Sequence, residues 1–139
     1  LGDRIAVMYD GRVVQVGTPE AVFERPATPF VARFSGSNCV PASVWGEAVA
    51  GGEAGDSEPN VTDASLAIRP EHVVLGEGGL SATVQRATRE DNGVRVVLAR
   101  DGSTVEAYVG SPPATGDETT VLFPGEHVVQ LAGDDEKTG

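Results

Sequence analysis

The only two histidines, His72 and His127, each follow a glutamate, in Glu71-His72-Val73-Val74 and Glu126-His127-Val128-Val129. Imidazole beside carboxylate is metal-binding chemistry, so the spacing matters. Both tetrapeptides read as strand, where adjacent side chains point to opposite faces. Neither Glu-His pair can then offer both groups to one ion, and a site needs His72 and His127 to meet in space. We expect structural or surface histidines and assign no metal ligand.

Arg69-Pro70-Glu71 clusters charge around a rigid proline. It could hold an anion through Arg69 or close as an ion-paired turn, and the ion pair is the reading we favour. Hydroxyls, amides and backbone N–H groups in turns can also hold small anions, as in Ser35-Gly36-Ser37-Asn38 and Ser81-Ala82-Thr83. The candidate ligand or regulatory residues are thus Ser35, Ser37, Asn38, Arg69, Glu71, Ser81 and Thr83. There is no GxxxxGK[ST] loop, no CxxC, no HExxH and no nucleophile with a base at recognisable spacing. No catalytic or cofactor-binding residue is assigned. The one cysteine, Cys39, reads as a small buried residue.

The segments that carry these residues fall into two textures. Alternation in Arg4–Tyr9 and Arg12–Val16 around Asp10-Gly11 predicts a β-hairpin. Thr18-Pro19-Glu20 and Thr28-Pro29 each place a hydroxyl N-cap before a proline at the first helical position. Two short helices follow, the first running to Arg25. The second carries Phe30, Val31 and Phe34 on one face and ends near Gly36. From Asn38 onward strand signals dominate: Cys39–Trp45, Leu66–Ile68, Leu80–Ala87, Val94–Ala99, Val105–Val109, Thr119–Leu122 and His127–Leu131. Short valine-rich strands at this rhythm predict a small closed or sandwiched β-domain. Gly46–Ser65 reads as a loop or weak edge hairpin, and residues 133–139 as a polar tail.

Charge follows the same division. Of 10 basic and 21 acidic side chains, four of each lie in residues 1–36, so the whole net charge of −11 belongs to residues 37–139. One lysine against nine arginines, in so acidic a chain, suggests a cytoplasm rich in salt, where self-repulsion is screened. The same balance argues against nucleic acid, which is bound through clustered Lys and Arg. No apolar run approaches the ~18 residues of a membrane span. The first residue is leucine and the only methionine is Met8, so we expect a piece of a longer chain.

"GDRIAVMYDGRVVQVGTPEAVFERPATPFVARFSGSN" closely resembles the end of the nucleotide-binding domain of importer-type ABC transporter ATPases. "IRPEHVVL", at Ile68–Leu75, resembles a hallmark of the TOBE regulatory domain, an OB-like β-barrel that follows in that family. The resemblance implies a mainly β fold: residues 1–36 closing the ATPase domain with a hairpin and two short helices, 37–132 forming the barrel, and 133–139 the tail.

It also implies that ATP and magnesium bind upstream of residue 1, so this segment carries no cofactor and is inactive alone. The intact subunit would pair with a second copy beneath membrane permeases, peripheral on the cytoplasmic face of the membrane. Its cargo would be an oxyanion such as molybdate, tungstate or sulfate, with sugar, polyamine or ferric iron as alternatives. The barrel could itself sense a small oxyanion. Against that, the chain lacks a "SARN"-like entry to the barrel and offers only Leu80-Ser81-Ala82-Thr83.

Overall fold

The computed structural model describes residues 3–50, 64–111 and 113–131. The hairpin forms as expected, β1 (Ile5–Tyr9) against β2 (Arg12–Gly17), with a bulge between Val7 and Met8. Asp10 and Gly11 take φ of 54° and 78°, the paired left-handed residues whose twist matches the strands. In α1 (Pro19–Glu24) and α2 (Pro29–Phe34) the Ala21 and Val31 N–H groups donate to the Thr18 and Thr28 hydroxyls at 3.1 and 3.2 Å. Beyond α2, Gly36 N–H donates to Arg33 O and Ser37 N–H to Ala32 O, with Gly36 at φ 92°. This is a Schellman ending that only a left-handed residue completes cheaply.

The α2 face differs from expectation. Phe30 and Phe34 do share it, with ring centroids 6.0 Å apart, but Phe34 is 67% exposed while Val31 and Ala32 are fully buried. The cause is a helix shared by two small cores. Val31 packs with Val7 and Val22, and the next residue, Ala32, packs with Ala67 and Leu131. The buried arc is centred on these two neighbours, which turns Phe34 outward.

The remainder is mainly β. β3 (Asn38–Pro41) leads to α3 (Ala42–Trp45), a 3-10 turn and β4 (Val49–Ala50). The single strand expected over Cys39–Trp45 is therefore half strand and half helix. Trp45, at the end of α3, buries its ring against Phe123 and donates to Ser103 Oγ. β5 (Ser65–Ile68) is followed by the 3-10 turn Pro70–His72. Next come β6 (Val74–Glu90), β7 (Gly93–Arg100), β8 (Ser103–Val109), β9 (Glu118–Pro124), the turn Gly125–His127 and β10 (Val129–Leu131). β6 starts earlier than Leu80, because residues 76–79 bulge out while Leu75 and Leu80 both register with Val121.

The sheets are β10-β5-β3 and a curled five-stranded β4-β9-β6-β7-β8, an OB-like arrangement. Between them lies one core that includes Trp45, Ile68, Val84, Leu98, Val105, Val121 and Phe123. Most of the expected 46–65 loop and all of the 133–139 tail lie outside the described residues.

Candidate functional site

Two neighbouring clefts open where the end of α2 meets the strands. One, of about 340 Å³, is lined by Arg33, Ser37, Asn38, Cys39, Thr104 and Glu106. The other, of about 470 Å³, is lined by Arg69, Glu71, Glu90, Arg95, Glu106 and Tyr108. Gly36 and Glu106 border both.

The structure therefore gathers Ser35, Ser37, Asn38, Arg69 and Glu71 into one region, each held in a specific way. Ser35 Oγ donates to Ala32 O at 3.1 Å and caps the helix end. Ser37 is buried at 9% exposure. Asn38 Nδ2 donates to Glu106 O and Glu106 N–H donates back to Asn38 Oδ1, both at 2.8 Å. That reciprocal pair stitches β3 to β8 and occupies the amide. Ser81 and Thr83 lie elsewhere, on β6 opposite Thr120 and Glu118, and line neither cleft.

Arg69 and Glu71 form the expected ion-paired turn, Nε to Oε2 at 2.9 Å. Arg69 also donates from Nη1 to Ser35 O at 3.0 Å and lies 5.6 Å from the centre of the Phe23 ring. One guanidinium thus ties the turn after β5 to α1 and to the end of α2. Arg95, which the sequence reading missed, is saturated in the same way. It meets Glu90 through Nε at 2.9 Å and Nη2 at 3.3 Å, meets Glu106 through Nη1 at 3.0 Å, and lies over Tyr108. No local signal marks it, because the register that sets Tyr108 opposite Arg95 and brings Glu106 beside it arises only when β7 and β8 pair. Glu90 holds the Arg95 guanidinium above its ordinary value by hydrogen bonding, against a smaller opposing push from burial, with Glu106 adding to the rise.

Partial burial pushes the Glu71 carboxyl up, but the Arg69 hydrogen bond, a backbone hydrogen bond and the charges of Arg69 and His72 hold it below its ordinary value of 4.5. A carboxyl lowered on folding contributes stability above its unfolded value and loses it as pH falls through its folded value. Thermal melts of wild type and Glu71→Gln should therefore differ at neutral pH and converge between about pH 5 and pH 3. A gap that persists in acid would mean the carboxylate charge is not what stabilises this turn.

Both Glu-His pairs sit in 3-10 turns rather than on strands. The His72 and His127 rings meet, stacked with centroids 3.8 Å apart and planes 5° from parallel. The cause is antiparallel pairing of Ala67 with Val129, which sets the turn leaving β5 beside the turn entering β10. Among the described residues no helix is long and apolar enough to cross a membrane.

No protein-family model matches the chain. It is 38% identical over 144 residues to the Fe(3+) ions import ATP-binding protein FbpC of Streptomyces coelicolor, covering 96% of this chain and 41% of that protein. It is 36% identical over 139 residues to the sn-glycerol-3-phosphate import ATP-binding protein UgpC 3 of Agrobacterium fabrum, covering 94% and 37%. It is 38% identical over 137 residues to the sulfate/thiosulfate import ATP-binding protein CysA 1 of Rhizobium meliloti, covering 88% and 39%. The chain thus spans 37–41% of the length of these relatives.

Proposed function

We propose, on the premise that its homologues are ATP-binding subunits of import-type ABC transporters, that this chain is the regulatory and dimer-contact segment of such a subunit. In this reading residues 1–36 close the ATPase domain and residues 37–132 form a TOBE-type domain. The observation that carries it is where apolar surface lies. The large apolar side chains exposed among the described residues are Met8, Val13, Val16, Phe23 and Phe34, all on the hairpin and its two helices. Clustered exposed apolar surface marks an interface, and the rest of the ATPase domain is the partner that fits. ATP and magnesium would bind there, with permeases and a second copy of the subunit as further partners at the cytoplasmic membrane face.

The cargo we propose is an oxyanion, molybdate, tungstate or sulfate, a reading supported by the sulfate/thiosulfate relative. The cleft lined by Arg69 and Arg95 favours contact over anion sensing, because their guanidinium groups already face the carboxylates of Glu71, Glu90 and Glu106 and its lining does not attract a further anion.

The test is ATP-driven uptake by the whole subunit reconstituted with its permease in vesicles. Oxyanion-dependent uptake and ATP hydrolysis are expected. Uptake of iron, sugar or polyamine alone would keep the importer and overturn the oxyanion, and absence of ATP hydrolysis in the assembled complex would overturn both.

A further inference from the structure

The stacked histidines have a third neighbour. Glu24, the last residue of α1, brings Oε1 to 3.4 Å from His72 Nε2. One ligand atom each from Glu24, His72 and His127 lies within 4.8 Å of the others. His72 Nε2 is buried and has no hydrogen-bond partner among the described residues. A buried ring nitrogen 3.4 Å from a carboxylate but not aligned to bond it, stacked on a second imidazole, is a candidate donor set.

From this geometry we propose a binding site for a late first-row divalent cation of the zinc class, formed by Glu24, His72 and His127. Imidazole nitrogens select such ions over magnesium or calcium, and two histidines with one carboxylate make a known zinc donor set. With metal–ligand distances of about 2.0–2.2 Å, donors on a tetrahedral ion stand about 3.4 Å apart. To meet on one ion the donors must draw in by at most about 1.5 Å, and the stacked rings, 5° from parallel, must tilt out of their stack, because an imidazole nitrogen binds a metal in its own ring plane. Neutral histidines and one carboxylate leave a single negative charge to meet the cation. Glu126 Oε2, 3.3 Å from His127 Nε2 and highly exposed, supplies a second carboxylate at the rim. Water completes the coordination.

The site clips together parts that the chain keeps far apart. Glu24 belongs to the hairpin-and-helix unit, while the two histidines belong to turns flanking the paired strands β5 and β10. An occupied site ties α1 to the β unit at a point separate from the Arg69 contacts. The inference does not depend on the transporter reading.

The experiment is titration of metal-stripped chain with cobalt(II) chloride, followed by displacement with zinc chloride. One equivalent of cobalt is expected to bind with the intense visible bands of a tetrahedral site, zinc is expected to remove them, and α1 amide exchange should slow. His72→Gln, His127→Gln and Glu24→Gln should each weaken binding at least about tenfold, no less than loss of a supporting outer-shell group does. Glu24 is exposed, so Glu24→Gln tests the site even if a histidine variant fails to fold. No saturable binding by folded wild type, or binding undiminished in Glu24→Gln or His127→Gln, would overturn the proposal.

Discussion

Replacing Gly79 by alanine is expected to destabilise the fold by about 2–5 kcal/mol, combining backbone strain with overpacking. Gly79 lies in the excursion of β6 between Leu75 and Leu80, with φ of +104°. A Cβ built there would stand 2.1 Å from Val121 O and 2.8 Å from Val121 C. Both atoms belong to the backbone of β9 and cannot rotate away, so the two strands would have to separate. Val121 is itself fully buried in the main core, and the displacement would reach that packing. Gly78 is the control, because its φ of +106° is nearly the same and nothing lies within 4 Å of its Cβ position. Gly78→Ala carries the conformational strain alone, about 1–3 kcal/mol. Denaturant melts of the two variants should show a clearly lower midpoint for Gly79→Ala. Equal midpoints would mean that β9 does not approach β6 as closely as the backbone path requires.

Trp45→Ala is expected to cost about 3–5 kcal/mol. Trp45 is fully buried, its ring stacks on Phe123 with centroids 6.0 Å apart, and its Nε1–H donates to Ser103 Oγ at 2.9 Å. The alanine variant removes the largest side chain of the core and leaves a cavity between α3 and the five-stranded sheet. Trp45→Phe keeps an aromatic face on Phe123 and loses the hydrogen bond, so it should cost far less. Far-UV circular dichroism is the proper readout, since Trp45 is the only tryptophan and its fluorescence disappears with the substitution. Comparable losses in the two variants would assign the stabilisation to the hydrogen bond and overturn the packing argument.

Both positions show how far the sequence could be read. In the sequence Gly78-Gly79 is only a break before the strand signal that begins at Leu80. The bulge that carries β6 through it depends on Val121, some 40 residues away. Trp45 reads as apolar at the end of a strand signal, because Val40, Val44 and Trp45 suit either state over so short a run. Its neighbours Phe123 and Ser103 are distant in sequence, and they draw Ala42–Trp45 into a helical turn. Arg69-Glu71 was legible as a local pair because two residues of spacing and a proline fix it. Arg95 was not, because its partners Glu90 and Glu106 converge only after β6, β7 and β8 have paired.

Local signals specify the hairpin with its Asp10-Gly11 turn, the two helices capped by Thr18 and Thr28, the mainly β texture beyond Asn38 and the resemblance to importer ATP-binding subunits. Each rests on local backbone preference or on residue order, which survive without a fold. Long-range packing sets which face of α2 is buried, that Arg69 and Arg95 are answered by carboxylates, and that Glu24, His72 and His127 converge. The reason is physical. Side chains separated by tens of residues meet only when strand register fixes which turns lie together, and the pairing of Ala67 with Val129 is a property of the packed sheet.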